Sequence, residues 1–290
     1  MKPALLKNIE SHTGSLTIQE LDEPHFDPNW HFHPHYQLFT VLEGTGTRLI
    51  GDSIRNFEPG DTVFLGPDVP HLWRNDDEYF KKESALKTHG IVLYFQKDFL
   101  GEEFLGKPEM KPIQQLFIES RRGIVYSGST QEIIRNELRR LLRSDGFERI
   151  LCTLELLNIL ARSTDSQPVT SFHYVNTYKV SETERMQKIH NYVLQHFKNE
   201  IRLGQAASLA GMSEAAFCRY FKTRANKTFT DFVSEIRIGY ACKSLIETSY
   251  TISQIAYESG FDTLSNFNRN FKKITTQTPR EYRVAYQTAV

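Results

Sequence analysis

The chain reads as a multidomain protein: an N-terminal all-β barrel followed by helices, then a C-terminal all-α domain with two helix-turn-helix units. Three observations predict this. Short apolar segments, broken by turn residues, fill the first hundred residues or so. From about Gln131 the apolar period lengthens to that of helices. The C-terminal third then carries one pattern twice.

The strand segments include Leu38 to Leu42, Thr62 to Leu65 and Ile91 to Phe95. Turn residues punctuate them at Glu43-Gly44-Thr45-Gly46, Gly51-Asp52, Pro59-Gly60-Asp61 and Gly66-Pro67-Asp68. Strands this short and evenly spaced predict a sandwich or small barrel over residues 1–105. Residues 106–165 read as a helical segment. Ile133, Ile134, Leu138, Leu141 and Leu142 form one stripe, and Ile150, Leu151, Leu154, Leu157 and Leu160 another. Leu156 and Ile159 spread the second stripe round much of its helix. That suits a helix between its own domain and a partner chain, hence a dimerisation segment and a homodimer; packing on its own barrel accounts for it equally. Residues 166–180 lack periodicity and contain Pro168, so they read as a linker. Ser181-Glu182-Thr183-Glu184 is a capping box that opens the domain 181–290 with a helix to about Phe197.

The repeat sets Ala207 against Ala256 and Gly211 against Gly260, 49 residues apart. Phe217/Phe267, Arg219/Arg269, Phe221/Phe271 and Thr228/Thr278 are 50 apart, so the second turn holds one extra residue. In each copy a short helix ends near a glycine free to turn left-handed. Ser213 caps the next helix in the first copy, and Asp262 or Thr263 in the second. The paired phenylalanines fall on one face and pack inward, which leaves Arg219 and Arg269 on others. Thr228 with Asp231, and Thr278 with Glu281, cap the helix that follows, and Pro279 takes a first-turn position.

Composition narrows the class. Net charge is zero over 290 residues, but residues 1–180 carry 20 basic and 25 acidic side chains, and residues 181–290 carry 15 and 10. The basic excess falls on the repeat, where phosphate binding needs it. The apolar runs are too short to cross a bilayer, and the N-terminus lacks the apolar stretch of a signal peptide. Cys152, Cys218 and Cys242 are odd in number and far apart, which reads as free thiols in a reducing, cytoplasmic setting with no membrane partner.

The stretch Gly-Phe-Asp-Thr-Leu-Ser-Asn-Phe-Asn-Arg-Asn-Phe-Lys-Lys, followed by Thr-Pro-Arg-Glu-Tyr-Arg, resembles the signature of the AraC/XylS family of bacterial transcription regulators. The resemblance covers about 181–286. It implies seven helices, with two helix-turn-helix units joined by a long helix near Phe229–Thr248 and two reading helices in successive major grooves, about 34 Å apart. It places Ser213, Ala215, Cys218, Arg219 and Lys222 of the first unit on DNA, and Thr263, Leu264, Ser265, Asn268, Arg269, Lys272 and Lys273 of the second. Arginine grips guanine and asparagine suits adenine, while the lysines, with Arg224, Lys227 and Arg280, suit phosphates. Many members have glycine where this chain has Asn226 and Thr276. Asparagine tolerates positive φ and threonine does not, so the second turn is expected to use another geometry.

His31-Phe32-His33-Pro34-His35-Tyr36-Gln37 puts His31, His33 and Gln37 on one face of a strand. With Pro59-Gly60-Asp61 and Pro67-Asp68-Val69-Pro70-His71 this resembles the two-part cupin motif, and the domain order resembles the arabinose-sensor type of the family. Cupin enzymes commonly bind metal through two histidines, a glutamate and a later histidine. The matching residues here are His31, His33, Gln37 and His71. The amide weakens the set, though His31, His33 and His71 alone suit a divalent ion. Otherwise no cofactor is expected. The alternative is a polar pocket in which His31, His33, Gln37, Arg48, His71 and Trp73 bind a small effector, and a sugar suits that lining.

The leading expectation is a transcription regulator, not an enzyme and without catalytic residues. Its partners would be promoter DNA, a small-molecule effector and RNA polymerase. The rivals are a cupin metalloenzyme fused to a DNA-binding domain, and a ligand-independent DNA binder whose barrel is structural.

Overall fold

The computed structural model describes residues 15–172, 174 and 180–287. It comprises two compact units, divided in the chain at Asn176–Thr177. Among the described residues the first unit has strands β1 (Leu16–Glu23), β2 (Tyr36–Glu43), β3 (Gly46–Ile50), β4 (Ser53–Phe57), β5 (Thr62–Leu65), β6 (His71–Asn75), β7 (Thr88–Phe95), β8 (Ile124–Tyr126) and β9 (Ser166–Pro168). Its helices are α1 (Glu102–Leu105), α2 (Lys111–Glu119), α3 (Gly128–Arg143) and α4 (Gly146–Arg162).

The strands form two sheets, ordered β1-β7-β2-β5-β8-β9 and β4-β3-β6. Strand β2 is central, antiparallel to β7 with Gln37 opposite Tyr94, and to β5 with Gln37 opposite Leu65. Alternation along β2 serves two cores. Tyr36 and Leu38 join Phe64, Ile91 and Leu93 beneath the helices, against Leu116, Ile134, Leu138, Leu156 and Leu160. Tyr36 stacks on Phe64, Phe95 and Phe117. Phe39 and Val41 face the other way and meet Ile50, Phe57 and Trp73 of the smaller sheet inside the barrel.

Three expectations are corrected. Segment 106–165 is not wholly helical, because β8 runs through it and pairs with β5. The linker assigned to 166–180 starts too early. Ser166–Pro168 pairs with β8, Val169 N donates to Gly123 O at 2.9 Å, and Ser171 N donates to Asp52 Oδ1 at 3.0 Å. An open strand edge accepts any extended segment, and a three-residue strand has no period to read. Residues 173 and 175–179 of that linker lie outside the described residues. Helix α4 is also turned from its expected stripe. It buries Cys152, Thr153, Leu156, Leu157 and Leu160, and leaves Leu151 exposed.

The second unit has seven described helices, as the family resemblance implies: α5 (Val180–His196), α6 (Leu203–Leu209), α7 (Glu214–Ala225), α8 (Phe229–Glu247), α9 (Ile252–Glu258), α10 (Leu264–Thr275) and α11 (Pro279–Gln287). The side chains of the capping box at 181–184 lie outside the described residues.

Candidate nucleic-acid interface and effector cavity

The pairs α6–α7 and α9–α10 are the two helix-turn-helix units. Both turns contain a left-handed glycine, Gly211 at φ 67° and Gly260 at φ 86°. Met212 N and Phe261 N then donate back to Ala207 O and Ala256 O, at 3.0 and 3.1 Å. The extra residue of the second copy therefore enters after Phe261, as Asp262. Ser213 Oγ accepts from Ala216 N at 3.4 Å, and Thr263 Oγ1 from Asn266 N at 3.2 Å, so Thr263 is the second cap. Phe217 and Phe221 are buried against Phe229 and Phe232. Phe267 and Phe271 are buried against Phe261 and Tyr282.

With those faces turned inward, Ala215, Cys218, Arg219 and Lys222 are exposed on α7, and Leu264, Ser265, Asn268, Arg269 and Lys272 on α10. The caps Ser213 and Thr263 are exposed too. Lys273 is exposed but already committed, since its Nζ pairs with Asp231 Oδ1 at 2.7 Å. Arg269 Nη2 donates to Asn266 Oδ1 at 2.9 Å, which holds the guanidinium along its own helix. A groove of about 360 Å³ runs between the readers. Cys218 and Lys222 of α7, Asn266 of α10 and Thr230, Val233 and Arg237 of α8 all line it.

The expected difference in the second turn is overturned. Asn226 takes φ 52°, ψ 22° and Thr276 takes φ 66°, ψ −6°, so both helices end left-handed. At Thr276 the hydrogen bonds impose the strained angle. Its N–H donates to Lys272 O at 3.0 Å, and Gln277 N donates to Thr275 Oγ1 at 3.3 Å. Such a threonine costs about 1–2 kcal/mol, which the packed α11 offsets.

In the barrel, His31 and His33 precede β2 instead of lying on it. His31 is held by a two-bond bridge to His71, with His31 N donating to His71 O at 3.1 Å and His71 N to His31 O at 2.9 Å. The two prolines flanking this stretch, Pro28 and Pro34, cannot donate to a strand ladder. The three histidines converge nonetheless. His31, His33 and His71 are buried, and each offers one ring nitrogen within 4.8 Å of the others. Their Nδ1 atoms face the carbonyls of Asn29, His35 and Val69 at 2.7, 3.1 and 2.7 Å. A carbonyl only accepts, so a neutral ring donates from Nδ1 and keeps its lone pair on Nε2. Burial, aided by His31 and His35, lowers the pKa of His33 to about 3 and keeps that ring neutral. His33 Nε2 and His71 Nε2 lie 2.9 and 3.1 Å from Gln37 Oε1. Two lone pairs facing one amide are satisfied if the amide turns its NH₂ toward them, or if a cation stands among them.

The cavity beside them holds about 40 Å³ and is lined by His31, Gln37, His71, Trp73, Phe39 and Tyr94, with Asp27 also among its walls. Sequence reasoning missed Tyr94 and Phe39, although Gln37 and Tyr94 are cross-strand partners and alternation from Gln37 leads to Phe39. Arg48 does not line this cavity. It is buried, and its Nη1 pairs with Asp61 Oδ1 at 2.7 Å while Trp73 Nε1 donates to Asp61 Oδ2 at 3.3 Å. Burial raises the Asp61 carboxyl pKa, and Arg48 is the counter-ion that opposes it. A buried carboxylate needs such a partner, and in this structure Arg48 is turned to Asp61 and away from the cavity lining.

Comparison with known proteins places both halves. A helix-turn-helix domain model matches residues 206–285, and a cupin domain model matches residues 18–79. The chain joins a cupin domain to a helix-turn-helix domain. A Staphylococcus aureus (strain MSSA476) protein named as an uncharacterized HTH-type transcriptional regulator is 30% identical over 210 residues, 68% of this chain. The match spans only 26% of that relative's length. The uncharacterized HTH-type transcriptional regulator YdeC of Bacillus subtilis is 21% identical over 87% of this chain and 85% of its own. Among solved structures, ToxT of Vibrio cholerae aligns over 93% of this chain and 97% of its own, at 14% identity and a TM-score of 0.36. No described helix of the chain is long and apolar enough to cross a membrane.

Proposed function

We propose that this chain is a sequence-specific DNA-binding transcription regulator whose cupin responds to a small effector. One observation carries the reading: residues of both helices, Cys218 and Lys222 of α7 and Asn266 of α10, line a single groove. Two readers that open on one groove suit one duplex. Arg219, Asn268 and Arg269 carry the base contacts, and Lys222 and Lys272 the phosphates. Promoter DNA and RNA polymerase are the macromolecular partners, in the cytoplasm. Helices α3 and α4 leave Ile133, Phe147 and Leu151 exposed, and these supply a homodimer face.

The effector site is the histidine cavity. Its 40 Å³ takes a few waters or an ion, far less than the roughly 300 Å³ of an ordinary small-molecule site. A sugar enters only if Phe39, Trp73 or Tyr94 moves. Three imidazoles with fixed Nδ1 donors, beside the Gln37 amide, fit a borderline divalent ion such as Zn²⁺ or Ni²⁺. Once bound, the ion would supply a Lewis-acidic anchor for an effector oxygen.

Two measurements on the full chain test this. Selection from a random duplex library should return a two-part site, and Arg269→Ala should weaken that site more than random DNA. Equal loss on both would reduce Arg269 to a phosphate contact, and no selected site would end the regulator reading. Thermal unfolding with Zn²⁺, Ni²⁺ and a sugar panel should show stabilisation of about 2.7 kcal/mol at a hundred times the dissociation constant. His71→Ala should abolish a metal response. A sugar response without metal would favour the polar pocket instead.

A further inference from the structure

The second reader is tied to the rest of its domain at one guanidinium. Arg237, on α8, donates from Nε to Phe197 O at 2.7 Å and from Nη2 to Asn199 O at 2.8 Å. These carbonyls belong to the turn that follows the C-terminal end of α5. The same guanidinium lies 5.7 Å from the centre of the Phe261 ring, in the turn of the second reader. Beside it, Gly260 has no room for a side chain. A Cβ there would stand 2.3 Å from Phe197 O and 2.9 Å from Arg237 Nε. The end of α5, the middle of α8 and the α9–α10 turn therefore meet with no volume to spare.

At the corresponding turn of the first reader, a Cβ on Gly211 would meet nothing within 4 Å, so no backbone presses on that glycine. Arg237 thus joins α5, which packs on α6 of the first reader, to the turn of the second. Each reader keeps its own apolar core without this joint; that of the second is Ile238, Ala241 and Leu245 with Ile255, Phe267 and Phe271. Apolar contact is non-directional and tolerates a small rotation. A two-pronged guanidinium grip does not, since its donors are fixed in one plane.

We propose that Arg237 is the positioning residue that fixes the angle between the two readers and so sets the half-site spacing the protein accepts. This rests on the reading that both units touch one duplex. Arg237 need not touch DNA; it acts through the turn at Gly260 and Phe261. The geometry makes spacing a property of this joint and base preference a property of α7 and α10.

The test uses the full chain and the two-part site that it selects from random duplexes. Binding is measured on that site with the spacer lengthened or shortened by one and two base pairs. Wild-type protein should lose about tenfold or more per step. Arg237→Met should bind the original spacing about tenfold more weakly and vary no more than about threefold across spacers, with unchanged base preference in each half. Arg237→Lys, which keeps charge but not the fork, should fall between. Gly260→Ala should flatten the profile in the same way by forcing the joint apart. A sharp wild-type profile retained in the variants overturns the clamp, as does a loss equal at every spacing. If Arg237→Met does not fold, the Arg237→Lys profile decides. Wild-type protein that selects no two-part site overturns the underlying reading, and the proposal with it.

Discussion

The two readers share a sequence pattern yet are held in different ways. Gly211 is required only by its backbone angle, whereas Gly260 is required by its angle and by a carbonyl pressed against it. The first left-handed helix end falls on an asparagine that accepts it, the second on a threonine that resists it. The first of these helices exposes Arg219 among residues able to pair with a base edge; the second exposes Ser265, Asn268 and Arg269. The two units fold alike but are anchored differently, so equivalent substitutions should not have equivalent effects.

The largest contrast should come from the turn glycines. Gly260→Ala adds a backbone clash to the strain of positive φ and should cost about 3 kcal/mol or more, against about 1–2 for Gly211→Ala. Urea unfolding measures both, and equal losses would erase the asymmetry. Acid should act next, and through the first reader. His190 stacks on Phe232 of that core, and burial, followed by the charge of Lys227, lowers its pKa to about 3. The unfolded chain takes up this proton near pH 6.5 and the folded chain does not. Stability should therefore fall as pH drops below 6.5, by up to about 1.4 kcal/mol per unit, and continue to fall toward pH 3. His190→Leu should remove this share of the slope in a pH series of denaturant melts, leaving the like share of His33 in the barrel. Base readout should follow. Arg219→Ala should cost about 1–3 kcal/mol and leave its half-site nearly without sequence preference. Arg269→Ala should cost a similar amount yet leave a preference carried by Asn268, as a selection repeated on each variant would reveal. The smallest effect should be a gain: Thr276→Gly should stabilise by about 1 kcal/mol, and Asn226→Gly by less than half of that, because asparagine already tolerates the angle.

Much of this was legible beforehand, for reasons that differ by region. The C-terminal helices announce themselves through caps and paired phenylalanines. Ser213, Thr228 and Thr278 are local signals that need no knowledge of the rest of the fold. The one local rule that failed was the ban on a left-handed threonine, which the surrounding hydrogen bonds override at Thr276. The barrel was harder to read. His31, His33, Gln37 and His71 were found by motif, but the assumption that His31 and His33 share a strand with Gln37 was wrong. Arg48 looked like a ligand because its buried partner, Asp61, lies 13 positions away. Nothing in the sequence marks Tyr94, because cross-strand register is not written in either strand alone. Strand β9 is three residues long and pairs with a strand forty positions earlier, so nothing local marks it. The clamp at Arg237 is of the same kind, since its acceptors lie 40 and 38 positions upstream.

Strand β2 has no idle side. Gln37 and Phe39 form part of the wall of the histidine cavity, while their neighbours Tyr36 and Leu38 are the surface on which the outer helices rest. A guest that displaced that wall would push on the helical layer, because close-packed side chains leave little slack to absorb a shift. In the regulator proposed above, signal transfer from pocket to outer layer would need no hinge and no loop: the message would travel through the thickness of a single strand.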